Sequence, residues 1–316
     1  MTNSTIEIAI IDYPGVMQSA LHGLGEMFHF ANDIHTRQGS PQHFSVTRHT
    51  VASIGQSMTD GSPEKKLNII LFPPSMGSDY YASPDPFLKN WILRHHAAGA
   101  IICSACAGAF ILAGAGLLEN RPATTHWKLA PEFARDFPAV KLDINKILIN
   151  DGDIITAAGL MSWVDLGLEL VAQFLHPNVM RQLGKNLIVD TGLREQRYYQ
   201  SFCPKLDHGD AAVLKAQHYL QKHFHEPVTT AALSALCHLT GRTFLRRFVK
   251  ATELTPVQYL QKLRIQKACT LLESTKSTID SISLKVGYED TSAFRKTFFK
   301  IVGLTPREFK GRFSSL

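Results

Sequence analysis

The last hundred residues carry one short pattern twice, roughly fifty positions apart, and only a tandem of two alike helical units accommodates it. The first copy runs from Leu233 to Pro256 and the second from Ile282 to Pro306. Phe244, Phe248, Lys250, Leu254, Thr255 and Pro256 recur as Phe294, Phe298, Lys300, Leu304, Thr305 and Pro306. Upstream the offset is one shorter, with Leu233 answering to Ile282 and Ser234 to Ser283, so the second copy holds one extra residue in its turn. Each copy reads as a short helix, a tight turn, and a second helix with two Phe a turn apart on its buried side. That is the helix-turn-helix plan, whose second helix enters the DNA major groove.

Charge points the same way. From Asp210 onward the chain has seventeen Lys and Arg against eight Asp and Glu, a net +9. The remainder has sixteen basic and nineteen acidic residues, a net −3. A basic piece joined to an acidic one is the electrostatic footprint of a domain that binds double-stranded DNA. A solvated basic surface without a ligand is the blander reading, but it gives no reason for the excess to coincide with the repeat.

The 316 residues, 45% hydrophobic and 19% charged, suffice for two globular domains. No apolar run approaches the roughly 18 residues of a membrane span, and none opens the chain as a signal peptide would. Five irregularly spaced cysteines make no disulfide framework. These features predict a cytoplasmic protein with reduced thiols, no membrane partner, no metal and no cofactor.

The amino-terminal part alternates buried strands with helices. Strands are expected at 6–13, from His43, at 68–72 and at 100–104, with a hairpin over 147–156 turning at Asp151-Gly152. Helices are expected over 18–33, 87–98, 108–118, 161–174 and 177–188. This order predicts an α/β domain, a mostly parallel flavodoxin-like sheet with helices on both faces, followed by an all-α domain. The expected organisation is a sensor domain over 1–190, a linker over 191–209 and a DNA-binding domain over 210–316. Tyr198, Tyr199 and Phe202 in the linker suggest that part of it packs on a domain. A helix from about Pro256 to Glu273 joins the two units, with Leu260, Leu263, the Lys267 stem, Ala268 and Leu271 along one face.

The run Ile101–Gly108 puts a thiol, Cys106, where a strand turns into a helix. Such an elbow exposes a nucleophile to helix amides that lower a thiol pKa and bind anions. His126 is a candidate neighbour. Tyr13, Ala107, Phe110, His126 and Trp127 complete a candidate ligand site with Cys106, and its aromatic members suit an apolar or cationic group. Ordinary core packing is the alternative for Phe110 and Trp127.

On the two second helices, the residues opposite the Phe pairs face outward. They are Thr240, Arg242, Leu245 and Arg246 in one copy, and Thr291, Ser292, Arg295 and Lys296 in the other. Arg reads guanine bidentately and Leu245 suits a thymine methyl. Thr240 and Asp290 are expected to cap their helices. Lys250, Lys300 and Arg307 are expected on phosphates or in solvent.

The stretch VGYEDTSAFRKTFFKIVGLTPREF closely resembles the AraC/XylS-family signature. The segments DYPG, CSACAGAFILAGAGLLENRPATTHW and DGDIITAAGLMSWVDLGLEL resemble the PfpI/ThiJ branch of class I glutamine amidotransferase-like domains. The combination resembles the GlxA-type transcriptional regulators. The resemblance implies a regulator, more often an activator than a repressor, working as a homodimer with RNA polymerase and a small-molecule effector such as an amine or amino-acid-like metabolite. It also implies that Cys106 descends from a nucleophile. Two departures argue against catalysis. The position where PfpI-like enzymes carry a carboxylate is Ala20, with Glu26 six residues on, and no His-x-Glu triplet follows Cys106. A cysteine-dependent hydrolase or amidase fused to a DNA-binding module is the alternative function, and a Cys103/Cys106 redox pair is a third.

Overall fold

In the computed structural model, which describes residues 5–60, 65–192 and 194–314, the first apolar run forms β1 (Thr5–Asp12). Its six central residues are all buried, as a strand covered on both faces requires. Then come α1 (Gln18–Arg37), β2 (His43–Thr50), α2 (Val51–Asp60), β3 (Ile69–Phe72), α3 (Pro86–Ala97), β4 (Ile101–Ala105) and α4 (Gly108–Gly114). The short β5 (Pro122–Ala123), α5 (Ala130–Asp136) and β6 (Lys141–Leu142) precede the hairpin of β7 (Leu148–Asn150) and β8 (Ile154–Ala157). The helices α6 (Trp163–Phe174) and α7 (Pro177–Leu187) complete this part.

The main sheet has the order β2-β1-β3-β4-β8-β7, parallel except at β7. This is the flavodoxin-like order with β8 as the fifth parallel strand and one antiparallel edge. Along α1 the residues Leu21, Leu24, Met27, Phe28, Ala31 and Ile34 recur at three- and four-residue steps and are buried. The helices α1, α6 and α7 pack together, and α2 packs with α3. Glycines permit the first of these groups: a Cβ on Gly23 would lie 2.6 Å from the Trp163 ring, and one on Gly167 2.8 Å from the Met27 sulfur.

Two local expectations need correction. The helix expected over 108–118 ends at Gly114, because Gly116 takes φ +82 and turns the chain. Val51 belongs to a helix that the sequence reading missed, since ten residues directly after a strand offer too short a period to recognise.

The chain divides into two compact units, Met1–Gln196 and Arg197–Leu316. The second holds α8 (Ala211–His223), α9 (Thr230–Leu236), α10 (Gly241–Thr252), α11 (Pro256–Ser274), α12 (Ile279–Lys285), α13 (Thr291–Val302) and α14 (Pro306–Phe313). The sequence repeat is here a repeat of backbone devices. Thr229 and Thr278 cap α9 and α12. His238 and Gly287 supply the left-handed residue in the two turns, at φ 55 and 87. Glu253 and Gly303 end α10 and α13 in the same conformation. Thr255 with Gln258, and Thr305 with Glu308, form capping boxes ahead of Pro256 and Pro306. The extra residue lies in the second turn, between α12 and α13, as the change of offset predicts.

Each half has its own core. Phe244 and Phe248 pack with Tyr259, Leu260 and Leu263 from the first half of α11. Phe294 and Phe298 pack with Ile265, Ala268, Cys269 and Leu272 from its second half. Because α11 serves two cores, its buried face drifts along its length. Leu272 rather than Leu271 is fully buried, and Lys267 is exposed. All four Phe are 0% exposed, so each contributes on the order of 1.5–3 kcal/mol by burial.

Candidate functional sites: a thiol elbow and two DNA-reading helices

Because β1, β3, β4 and β8 are parallel, the segments that leave them gather at one end of the sheet. Val16 bridges to Ser75, and the Met17 amide donates to the Pro74 carbonyl at 2.7 Å. The Cys106 amide donates to the Ala157 carbonyl at 2.8 Å. Carboxyl ends of strands are where open α/β sheets bind ligands. Here β4 meets α4 at Cys106, which has φ 54. A left-handed conformation in a non-glycine residue costs roughly 1–2 kcal/mol, and it is the strand-to-helix elbow that the sequence predicts. Gly108 lets the elbow sit close to the sheet, since a Cβ there would lie 2.7 Å from the Phe72 carbonyl oxygen.

The Cys106 side chain is 3% exposed. Burial pushes its thiol up to about 11, against smaller opposing effects of the Ala107 and Gly159 backbone N–H groups. The amides expected to face an anion therefore engage the thiol. His126 is half-buried, and burial together with the Lys128 charge lowers its pKa. Its Nδ1 accepts from the Lys128 amide at 3.1 Å, which leaves Nε2 as the donor. Among the described residues no hydrogen bond joins His126 to Cys106. Ala20, at the position expected to carry a carboxylate, is fully buried, and Glu26 is exposed. Cys103 is 0% exposed and its thiol is held protonated by burial.

Tyr13 and Phe110, read from sequence as ligand-site walls, are each 2% exposed. Tyr13 donates its hydroxyl to the Pro73 carbonyl and stacks on Tyr80 at 5.9 Å. Phe110 packs on Tyr81, Phe133 and Phe137. Ala107 is buried as well. Of the six residues, His126 and Trp127 keep surface, stacked at 5.7 Å. Sequence reasoning missed Tyr81, which packs on Phe110 and lies near Cys106. Tyr81 is raised by burial first, then by the charges of Glu132 and Asp79 and by Cys106. Only the fold brings these residues together, so no local motif marks them.

Sequence reasoning also missed Gln196, the last residue of the first unit. It is 4% exposed in a stretch that reads as linker. Its Oε1 accepts from the Trp127 amide at 2.7 Å. Its Nε2 donates to the carbonyls of Thr125 at 3.1 Å and Ile144 at 2.7 Å. Thr125 in turn donates its hydroxyl to the Cys106 carbonyl at 2.8 Å. One side chain thus holds the loop beside the elbow. The very next residues belong to the second unit: Arg197 lies against Gly303, Tyr199 packs on Phe313, and Phe202 packs on Tyr259.

In the second unit, Arg242, Leu245, Arg246, Ser292, Arg295 and Lys296 are exposed, and Thr291 is half-buried. Thr240 is exposed too, with its hydroxyl oxygen accepting from the Thr243 amide at 3.3 Å. Asp290 accepts from the Ser292 amide at 2.7 Å, so both expected caps are made. Arg295 meets Asp280 of α12 at 3.3 Å, a weak surface pair. Val249 and Phe299, 38% and 50% exposed, extend the same helix faces by a turn. The fifty-residue offset pairs them, and it was the available signal.

Comparison with known proteins agrees with both halves. Residues 39–173 match the DJ-1/PfpI family and residues 233–312 match a helix-turn-helix domain. The transcriptional regulator CdhR of Pseudomonas aeruginosa is 28% identical over 253 residues, 78% of this chain and 74% of that one. The regulator ArgR of the same organism is 29% identical over 229 residues, covering 72% and 69%. GlxA of Rhizobium meliloti is 24% identical over 211 residues, covering 66% and 64%. The chain thus joins a DJ-1/PfpI-like domain to a helix-turn-helix domain, and the relatives it resembles are named transcriptional regulators. In such a regulator the differences between the two helices matter. Leu245 and Arg246 stand where the second unit has Arg295 and Lys296, so the two helices carry different side chains on their outward faces. Among the described residues no helix is long and apolar enough to cross a membrane.

Proposed function

We propose that this regulator binds specific DNA sites as a homodimer and activates transcription with RNA polymerase when a small metabolite occupies the elbow of its amino-terminal domain. The observation that carries the DNA part is the pair of capped helices, α10 and α13, each turning basic side chains outward from a Phe core. Arg246 and Arg295 are the base readers and Lys250 and Lys300 the phosphate contacts. α11 has nineteen residues, about 28 Å at 1.5 Å each, which suits two reading helices roughly one DNA turn apart.

The effector is an amine or an amino-acid-like molecule. Tyr81 offers an aromatic ring to a cation, with Glu132 and Asp79 supplying negative charge beside it, whereas the Trp127 ring already carries His126 and the Lys128 ammonium. The His126 Nε2–H is a donor for a carboxylate. Occupancy displaces the 125–127 loop, and Gln196 carries that displacement to Arg197 and the segment built into the DNA-binding unit. A ligand that favours one setting of this segment shifts the population that contacts DNA. A thermal-shift screen of the full chain against amino acids, betaines and polyamines tests the sensor half, since a ligand of the folded state raises its melting temperature. A positive compound must also change DNA affinity. No hit, or a hit without effect on DNA, counts against the sensor reading.

A further inference from the structure

A groove of about 1100 Å³ opens in the DNA-binding unit between the segment that precedes α8 and the outer side of α10. Its walls carry Lys205, His208, Asp210, Arg246, Arg247 and Lys250. Two of the charges cancel internally, for Arg247 grips Asp210 through Nε at 2.8 Å and Nη2 at 2.7 Å. His208 is occupied on both ring nitrogens. Nδ1 accepts from the Asp210 amide at 3.0 Å, and Nε2 donates to Gln217 Oε1 at 2.8 Å. It therefore fixes the segment to α8. What remains is Lys205, Arg246 and Lys250, all exposed and, among the described residues, without a carboxylate partner.

We infer that this groove holds the sugar-phosphate backbone of the DNA duplex that α10 reads, with Lys205 as a phosphate contact supplied by the interdomain segment. Arg246 ties the two surfaces together, since it belongs both to the outward face of α10 and to the groove wall. A helix lying in the major groove, which is about 12 Å wide, has a phosphate strand within roughly one long side chain on either side. Lys250 follows Arg246 by one helical turn, and Lys205 faces them across the groove, so three cations line a channel of one polarity. Lys205 lies in the stretch whose composition predicts only a connector. His208, the Asp210–Arg247 pair and the Gln217 hydrogen bond to the Lys205 carbonyl at 3.0 Å hold that stretch in place. The inference rests on the reading of α10 as a DNA-binding helix and adds a second contact surface to it.

The test is the salt dependence of DNA binding by the full-length protein, on a selected site and on unrelated duplex, for wild type, Lys205→Gln, Lys205→Gln/Lys250→Gln and Lys222→Gln. Lys222 is exposed at the far end of α8 and serves as control. Each phosphate contact removed lowers the slope of log affinity against log salt by about 0.9. Lys205→Gln should flatten the slope by about that amount and the double variant by about twice it. Both should weaken specific and unrelated DNA by the same factor, while Lys222→Gln matches wild type. A wild-type slope for Lys205→Gln, in a protein that otherwise binds DNA, overturns the groove assignment and leaves α10 as the reader. A loss of affinity at unchanged slope overturns it as well and marks Lys205 as a structural support rather than a phosphate contact. Absence of DNA binding by wild type overturns the underlying reading together with the groove.

Discussion

Gln196 is the side chain whose loss the structure prices most directly. Replacing it with Ala removes three hydrogen bonds, one accepted from the Trp127 amide and two donated to the Thr125 and Ile144 carbonyls. The site is 4% exposed, so water does not replace them freely. At a net of about 1 kcal/mol per bond, with some extra cost for the Trp127 donor left unpaired, the loss is on the order of 3 kcal/mol. Gln196→Glu keeps the bond from Trp127 but turns carboxylate oxygens toward two carbonyls, and should cost at least as much. Urea denaturation of the full chain, read at the transition of the amino-terminal unit, measures both. The same variants should bind DNA with unchanged affinity in the absence of effector and respond weakly or not at all to it. A stability change under about 0.5 kcal/mol, or a normal effector response in Gln196→Ala, refutes the idea that this residue latches the elbow loop to the segment beyond it.

Four further outcomes follow from the structure. In a Cys203→Ser background, which removes the exposed thiol, alkylation of Cys106 should be slow near neutral pH and rise about tenfold per pH unit toward a midpoint near 11. Rapid labelling near pH 6 would instead reveal a catalytic thiolate. The same raised pKa makes the folded state favour the protonated thiol. Its contribution is complete below the ordinary thiol value of 9.0 and is lost as pH climbs toward about 11, so Cys106→Ser should flatten the alkaline fall in melting temperature. Near neutral pH, Cys106→Ser should leave the fold and basal DNA binding intact while shifting effector affinity and reporter induction, and unchanged values of both remove Cys106 from the sensing site. Phe248→Ala and Phe298→Ala should each destabilise the carboxy-terminal unit by roughly 3–5 kcal/mol, measurable by thermal denaturation, and an effect below about 1 kcal/mol would contradict the two-core description.

The carboxy-terminal unit was legible in the sequence because its determinants are local and occur twice. A Thr cap, a left-handed turn residue, a Phe pair and a Thr-Pro start each act within a few residues, and a fixed offset makes them stand out from noise. The sheet was legible because interior parallel strands are short apolar runs such as NIILF and AIICS. The elbow was legible as a strand-to-helix turn with Cys at its apex. Its surroundings were not, because Tyr81, Glu132 and Cys106 come together only through the fold. Tyr13 and Phe110 have the side chains of a ligand site, but the sequence does not show that Tyr80 and Tyr81 cover them. Gln196 was hidden for a related reason. A polar residue in a polar stretch looks like linker until its three partners, between about fifty and seventy residues upstream, are known.

The central claim is that two unlike helices, α10 and α13, read DNA from one chain. Selection of bound duplexes from a random pool by the full-length protein, repeated with Arg246→Ala and with Arg295→Ala, tests it most directly. The expected site holds two short elements about one helical turn apart, ~10 base pairs between centres. Arg246→Ala should relax one element and Arg295→Ala the other, each at a cost on the order of 1–3 kcal/mol at the full site. A single element, or two variants that weaken every sequence alike, would contradict the account.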